Sequence, residues 1–405
     1  MPNPRLALTF ILITVALDAI GIGIIFPVMP DLLREVTGLS LSDAALWAGT
    51  LGTAFAVMQF LFGPILGALS DRFGRRPVLL VSLAVMSVDY LVMATAGTIW
   101  LLLGARIVAG ITAATYSTAT AFISDITPPE QRGARFGLIG ACFGVGFVIG
   151  PLIGAGLAGI DTRAPFFAAA AMAAGNLALG WFTLPETVTD ATRRPFRWSR
   201  ANPLGALRSV GRLPGVGVTL TCWLILAIAM NVYPTVWNFY GQAQFGWSSS
   251  MVGVSLALYG VSFALGQAVI VGPVIRRFGE HRAAQFGMAV DIVTLTALGL
   301  VTSPAIALAI IPVTALGGTV TPSLQALASR AAPADAQGEI HGVLSSLNAI
   351  ATMVSPLLMT TTFAHFTRAD APLHAPGAPF LLSAALMIGC LALLSLAARP
   401  RPIAA

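Results

Sequence analysis

About twelve apolar runs, each of roughly 18 to 25 residues, constrain the fold of this chain more than any other feature. At about 1.5 Å per residue, a helix of that length crosses a hydrocarbon core of about 30 Å. With 57% hydrophobic and 9% charged residues, the chain could not bury these runs in a soluble fold. The sequence therefore predicts an all-α membrane protein with twelve transmembrane helices. The predicted spans are 6–28, 46–68, 78–96, 98–124, 136–160, 165–184, 215–240, 250–273, 283–302, 304–327, 339–363 and 379–398.

An internal duplication divides the twelve spans into two sets. The segment GALSDRFGRRPVLL begins at Gly67, and a shorter copy, GPVIRRFGEHR, begins at Gly272. Pro151 and Pro356 repeat the same offset of 205 positions. Two anchors at one offset predict two pseudo-symmetric halves of six helices, with a substrate bound near the bilayer midplane where the halves meet.

The domain limits follow from this duplication. The only sizeable polar region, 185–214, is predicted to be a linker between an N-terminal bundle over 1–184 and a C-terminal bundle over 215–405. In the second copy of the motif, Ile275 lies near the position that would match Asp71. The second copy is therefore expected to keep only the turn and the positive charge.

Positive charge is distributed unevenly over the loops. The net charge of +6 comes from arginine, because the chain has no lysine. When alternate loops are assigned to opposite sides of the membrane, most arginines and the basic linker fall on one side. Only Arg34, Arg163 and Arg368 fall on the other. The positive-inside rule then places both termini and the linker in the cytoplasm. A nucleic-acid surface is not favoured, because these charges lie on short loops without interleaved aromatic residues.

Four charged residues lie inside apolar spans. Asp18, Asp89 and Asp291 fall in the first, third and ninth spans, and Arg106 falls in the fourth. A charge at the bilayer centre costs at least about 2.5 to 3.5 kcal/mol, so such residues normally face a cavity or a partner. Burial favours the neutral form of a carboxylic acid and a nearby arginine favours its charged form, a balance that suits proton coupling. The alternative is an ion pair, of Arg106 with Asp18 or Asp89, that only locks two helices together.

Other residues in the spans are candidates by type and position. Gln59 is a polar side chain that faces either a cavity or another helix. Small residues at four-residue spacing in the fifth span predict close helix packing, and Pro151 permits a bend. The residues in that motif are Gly146, Gly150, Pro151 and Gly154. Candidates for a substrate cavity in the second half are Asn231, Trp237, Asn238 and Gln267.

The first copy of the duplicated motif predicts a latch between helices. Gly67 and Gly74 suit a tight turn and close helix approach, and Asp71 is expected to cap the start of the following helix. Arg75 is expected to reach carboxylates or backbone carbonyls. The alternative is a simple topology determinant, but topology requires only the arginines.

These motifs together resemble those of the major facilitator superfamily. GALSDRFGRRPVLL resembles its signature loop, LLLGARIVAG its fourth-helix arginine motif, and FGVGFVIGPLIGAG the fifth-helix motif associated with antiporters. LDAIGIGIIFPVMPDLLRE and PTVWNFY are similar to the tetracycline/H+ antiporters of bacterial inner membranes. The resemblance covers nearly the whole chain.

The resemblance implies a function and roles for named residues. Asp18, Asp89, Arg106 and Asp291 would be the transmembrane charges needed for antiport. Asp71 and Arg75 would belong to a cytoplasmic gate with Gly67 and Gly74, and Asp125 would be their charge partner. The cargo would be a tetracycline chelated to a divalent cation such as Mg2+, exchanged for a proton across the lipid bilayer. The metal would then be part of the substrate, with no resident cofactor or metal site.

Two departures from the resemblance concern the substrate. The well-studied members carry a histidine in the eighth helix where this chain aligns Phe263, and acidic or basic groups where it has Gln242 and Gln244. An antiporter for another amphipathic drug or a metabolite is therefore the alternative. An enzyme is not expected, because the four histidines are scattered and no nucleophile and base recur at a useful spacing.

Overall fold

The computed structural model describes residues 4–190, 193, 195–196, 216–331 and 337–396. These ranges are helical and contain no strand. The helices are α1 (Pro4–Ile25), α2 (Met29–Thr37), α3 (Leu41–Phe73), α4 (Arg75–Thr95), α5 (Ile99–Ile111), α6 (Thr115–Ile126), α7 (Pro129–Ala158), α8 (Ala164–Thr183), α9 (Gly217–Met230), α10 (Val232–Phe245), α11 (Ser249–Gly266), α12 (Gly272–Leu300), α13 (Pro304–Thr314), α14 (Val320–Ala331), α15 (Gln337–Thr367) and α16 (Ala378–Leu396). A 3-10 helix joins α1 to α2, a π-helical turn joins α11 to α12, and a second 3-10 helix, Ala315–Thr319, joins α13 to α14.

Eleven helical segments in the described ranges are long and apolar enough to span a membrane. One of them, Ser249–Leu300, has 52 residues, about 78 Å of helix and more than twice the hydrocarbon thickness. Gly279 interrupts this segment with a φ of 74° and a ψ of 162°. The segment therefore supplies two spans, so the predicted all-α fold with twelve transmembrane helices is confirmed.

The duplication is visible in the backbone as well as in the sequence. The fourth span, Ile99–Ile126, is broken between α5 and α6, and the tenth, Pro304–Ala331, is broken by its 3-10 helix. The two spans begin 205 positions apart and also end 205 positions apart. Pro312 contributes to the second break, because proline lacks the N–H that would continue the helical hydrogen bonds.

The chain forms two compact units. Unit 1 contains Met1–Leu39, Ala54–Pro203 and Ser248–Ala257, and unit 2 contains Ser40–Thr53, Leu204–Trp247 and Leu258–Ala405. Helices α3 and α11 are thus each divided between the units. The predicted limits 1–184, 185–214 and 215–405 stay a prediction, because most of the linker lies outside the described residues.

Each unit has a hydrophobic core. In unit 1 the core is formed where α1, α4 and α6 pack together, and its centre includes Ile11, Leu79 and Phe122. In unit 2 a second core joins α9, α14 and α15 through residues such as Leu220 and Val343.

Candidate functional site

Arg75 is the centre of a charged network in unit 1. Its Nη1 lies 2.6 Å from Asp71 Oδ1, and its Nε lies 3.1 Å from Asp125 Oδ2 at the end of α6. Nη1 also donates to Ser70 Oγ at 3.2 Å. We call Asp71, Arg75 and Asp125 the arginine network. The structure thus brings together the three charged residues that the sequence assigns to a gate, and their gating role stays a prediction.

Glu186, which the sequence did not single out, caps the helix that carries Arg75. Its Oε1 accepts from the backbone N of Arg75 at 2.9 Å, and its Oε2 accepts from the backbone N of Arg76 at 3.1 Å. The expectation that Asp71 caps α4 is wrong. Asp71 belongs to the last turn of α3, four residues before Arg75, and its carboxylate is engaged by the Arg75 side chain. The available signal for Glu186 was an acid directly after the last span of the first half.

Gly74, directly before Arg75, lets the Glu186 carboxylate approach the start of α4 closely. Its φ of 113° is rarely adopted by residues other than glycine. A Cβ at this position would also collide with the Glu186 carboxylate. Gly67 differs, because it lies within α3 and no described atom is within 4 Å of the Cβ position. The close-approach interpretation therefore applies to Gly74 and is wrong for Gly67.

The second copy of the motif carries an ion pair of its own. Glu280 Oε1 lies 2.5 Å from Arg330 Nη2 in unit 2. Adding the offset of 205 to Arg75 and Asp125 gives Glu280 and Arg330, so the same two positions are paired with opposite signs. The expectation that the second copy kept only its turn and positive charge is therefore wrong. A search for matching residue types overlooks a pair whose charges are exchanged.

Asp89 and Arg106 form an ion pair inside unit 1. The Asp89 side chain is 2% exposed and is paired with Arg106, whose Nε lies 3.3 Å from Asp89 Oδ1. The guanidinium also lies 5.5 Å from the centroid of the Phe55 ring. Of the two pairings that the sequence left open, the structure contains the one with Asp89. This pair joins α4 to α5.

Asp18 lies on α1 without a basic partner among the described residues. Its Oδ1 is buried and has no hydrogen-bond partner there. Tyr90 on α4 is near enough to interact with it electrostatically, and a Cβ at Gly21 would lie 3.1 Å from the Tyr90 hydroxyl. Asp18 is therefore a half-buried acid that faces a phenol.

Asp291 lies in unit 2 and forms no salt bridge within the described residues. Its side chain packs against the backbone of Gly317, where a Cβ would collide with the carboxylate. Two tyrosines, Tyr233 and Tyr259, interact with it electrostatically, and their rings stack 5.8 Å apart. The sequence identified the acid but not the tyrosines, although both lie within predicted spans.

A cavity of about 210 Å³ lies in unit 2 between α9, α14 and α15. Asn231 lines it, as predicted for a cavity residue, together with Thr321 and Asn348, which the sequence did not single out. Asn231 Nδ2 donates to Ala227 O at 2.7 Å. Trp223 and Met230 supply apolar surface.

The other predicted cavity residues lie elsewhere. Trp237 and Asn238 are buried, 4% and 5% exposed, and the Trp237 ring packs against those of Tyr240 and Phe380. Gln267 donates to the carbonyl oxygen of Gly318 at 3.3 Å. Gln59 is an exposed residue of α3. The structure thus places only Asn231 of these five in the described cavity.

Glycines on one face of α7 allow close packing against α1. A Cβ at Gly146, Gly150 or Gly154 would collide with backbone oxygens of α1. Pro151 lies on the same interface, where its Cδ would contact a Cβ at Gly23. The predicted close approach at four-residue spacing is therefore confirmed for these glycines.

Comparisons with known proteins agree on one family. The profile of the Major Facilitator Superfamily matches residues 11–356 and 238–404. The chain is 42% identical to the class C tetracycline resistance protein of Escherichia coli, over 95% of each chain. It is 38% identical to the class G protein of Vibrio anguillarum, over 87% of this chain and 89% of that one. The crystal structure of the human organic anion transporter MFSD10 superposes with a TM-score of 0.68 and 25% identity, covering 97% of this chain and all of that one.

Proposed function

The chain belongs to the major facilitator superfamily, in the group of the tetracycline resistance proteins, and we propose that it is a proton-coupled antiporter that exports tetracycline. The observation that carries the coupling is the presence of two membrane-embedded acids, Asp18 and Asp291, without a basic partner in the described structure. Acids inside a membrane span are costly and commonly mark proton or substrate pathways.

The proposed cycle uses the acids in turn. Asp18, Asp89 and Asp291 take up protons from the periplasmic side, and protonation weakens their attraction for a cationic drug complex. The complex is then released, and rearrangement of the two halves returns the binding cavity to the cytoplasmic side. Asp89 differs from the other two acids because it is paired with Arg106 and would take up its proton next to that positive charge. The arginine network holds the cytoplasmic gate in the outward-facing state.

The proposed substrate is tetracycline chelated to a divalent cation such as Mg2+. The ion travels as part of the cargo, and the protein needs no resident cofactor. The unit 2 cavity, lined by the amides of Asn231 and Asn348, the hydroxyl of Thr321 and apolar side chains, suits the uncharged part of such a molecule.

The proposed location is the bacterial inner membrane, with both termini in the cytoplasm. The support is the concentration of arginine on one set of loops.

Inverted membrane vesicles provide the test. Addition of tetracycline with Mg2+ to energised vesicles is expected to release protons from the lumen, and Asp291→Asn is expected to abolish this release while the protein stays inserted. Asp370→Asn, at an exposed loop position without a described partner, is the matched control and should keep the wild-type signal. Absence of tetracycline-dependent proton movement in the wild type would refute the proposed function.

A second candidate is an antiporter for a different amphipathic drug. Phe263, which replaces the histidine of the well-studied members, stacks on Tyr259 at 5.9 Å. Tyr259 in turn interacts with Asp291, so the departure lies next to a proposed coupling acid. A drug-susceptibility panel in a host without its own pumps separates the two, since protection against other drugs but not tetracycline would favour this second candidate.

A further inference from the structure

Helices α4 and α8 cap each other at the same end of unit 1. The carboxylate of Glu186, two residues beyond the C-cap of α8 at Leu184, accepts hydrogen bonds from the first two N–H groups of α4. In return, Arg76 Nη2 in the first turn of α4 donates to the carbonyl oxygen of Trp181 in the last turn of α8 at 2.7 Å. The Arg76 guanidinium also lies 5.9 Å from the centroid of the Trp181 ring. The two helix ends are therefore tied in both directions.

The Glu186 carboxylate is occupied by four backbone donors. Besides Arg75 and Arg76, the N–H groups of Thr187 and Val188 donate to its Oε1 at 2.9 Å each. The first N–H groups of a helix lack partners within the helix, and an anion there is also favoured by the helix dipole. Four donors hold the carboxylate in one position, so Glu186 fixes where α4 begins.

The next residue connects the same segment to the arginine network. Thr187 Oγ1 donates to Asp125 Oδ2 at 3.0 Å, the oxygen that Arg75 Nε reaches at 3.1 Å. Residues 186 and 187 thus contact both partners of one ion pair, Arg75 through its backbone and Asp125 through its side chain.

We infer that Glu186 and Thr187 are positioning residues of the gate. Glu186 sets the backbone from which the Arg75 side chain extends, and Thr187 sets the carboxylate that this side chain meets. Movement of the α8 exit would then move both halves of the Arg75–Asp125 pair together. The inference rests on the gating role given to the arginine network under the proposed function.

A graded series of variants in the full-length protein tests the inference. Glu186→Ala removes all four bonds, whereas Glu186→Gln keeps an oxygen for the three donors on Oε1 and loses the bond on Oε2 and the charge. The rate of tetracycline-driven proton release at saturating drug should fall about tenfold in Glu186→Ala and about twofold to threefold in Glu186→Gln, because the second variant keeps three of the four bonds. The KM for tetracycline should stay within about twofold, because Glu186 lies outside the cavity. Equal rates in all three proteins would overturn the inference.

Amide hydrogen exchange separates positioning from general damage. In Glu186→Ala, exchange at residues 75 and 76 should accelerate, while the core of unit 1 around Phe122 stays protected. Glu130→Gln, a glutamate in the first turn of α7 outside the network, is the matched control and should change neither exchange nor rate. Faster exchange with an unchanged transport rate would show a cap that does not position the gate, and would also overturn the inference. Failure of the proposed function has a different signature, because the wild type itself would then release no protons.

A double-mutant cycle tests the part assigned to Thr187. Thr187→Val removes the hydroxyl while keeping the shape, and is expected to lower the maximal rate about threefold in the wild-type background. In an Asp125→Asn background the same change should have no further effect, because the contact acts through Asp125. Equal losses in both backgrounds would contradict this role.

Discussion

The aspartates at positions 18, 89 and 291 have different chemistry because their neighbours differ. Asp89 is paired with an arginine, Asp18 faces a tyrosine, and Asp291 packs on a glycine backbone beside two phenols. Removing one member of a buried ion pair leaves an uncompensated charge, which costs about 3 to 5 kcal/mol. Asp89 should therefore respond to the loss of its partner in a way that the other two acids do not.

Arg106→Gln is expected to lower the thermal unfolding midpoint of the purified protein by several degrees, because Asp89 loses the partner that compensates its charge. Asp89→Asn should also lower the midpoint, because Arg106 then has no carboxylate to compensate its charge. The double variant Asp89→Asn/Arg106→Gln, which removes both charges, should recover most of the lost stability and yet remain inactive in antiport. Scanning fluorimetry in detergent measures the first effect, and proton release from vesicles measures the second.

An exposed ion pair is the control for this prediction. Arg368 and Asp43, 3.1 Å apart and 49% and 36% exposed, form a pair of the kind that contributes at most about 1 kcal/mol. Arg368→Gln should barely change the midpoint. If the Asp89→Asn/Arg106→Gln protein were as unstable as Arg106→Gln alone, the charges would not be acting as a pair.

Sequence and structure differ most in how single residues are partnered. All four intramembrane charges were evident as charges within apolar runs, because their cost in a membrane is independent of the fold. Their partners depend on which helices lie next to each other, and this information is distributed over the whole chain. Glu186 was overlooked for the same reason, since its four donors come partly from residues more than 100 positions away.

At the scale of the element, α7 shows how glycine spacing encodes a packing face. Gly146, Gly150 and Gly154 contact α1, while Gly144 in the same helix has no described atom within 4 Å of its Cβ position. The four-residue spacing predicts the face but not which neighbouring helix it meets. Two glycines of one helix therefore offer a matched comparison.

Gly150→Ala is expected to destabilise the protein by about 1 to 3 kcal/mol, because the added Cβ would lie 2.6 Å from Ile20 O and 2.8 Å from Gly23 Cα. Gly144→Ala should be neutral or stabilising by up to about 1 kcal/mol, since alanine favours the helix and meets nothing. Thermal unfolding of the two purified variants distinguishes them. Equal effects would mean that the close α1–α7 approach does not limit stability.

For the whole molecule, the repeated offset of 205 positions predicted the twelve-helix arrangement well. It recurs at Gly74 and Gly279, both with positive φ, and at the ends of the fourth and tenth spans. Backbone features repeat because each half must turn and break its helices at the same places. Side-chain pairs need only remain complementary, so a pair with exchanged signs, such as Glu280 and Arg330, preserves the contact without resembling its counterpart.

This exchange leads to a test by charge reversal in unit 2. Glu280→Arg and Arg330→Glu each place like charges together, and we expect each to lower the maximal antiport rate about threefold to fivefold. The double variant should regain most of the wild-type rate, because the pair is restored with the signs of the Arg75–Asp125 pair. Stability should change by no more than about 1 kcal/mol throughout, since Arg330 is 72% exposed.

The same reversal in unit 1 should fail, and this contrast makes the prediction specific. Arg75 also bonds to Asp71 and Ser70, so exchanging it with Asp125 would bring two acids together and leave Ser70 without its donor. The combination Arg75→Asp/Asp125→Arg is therefore expected to stay as inactive as its single variants. Recovery in unit 1, or single variants of Glu280 and Arg330 with wild-type rates, would show that the two pairs are not functional counterparts.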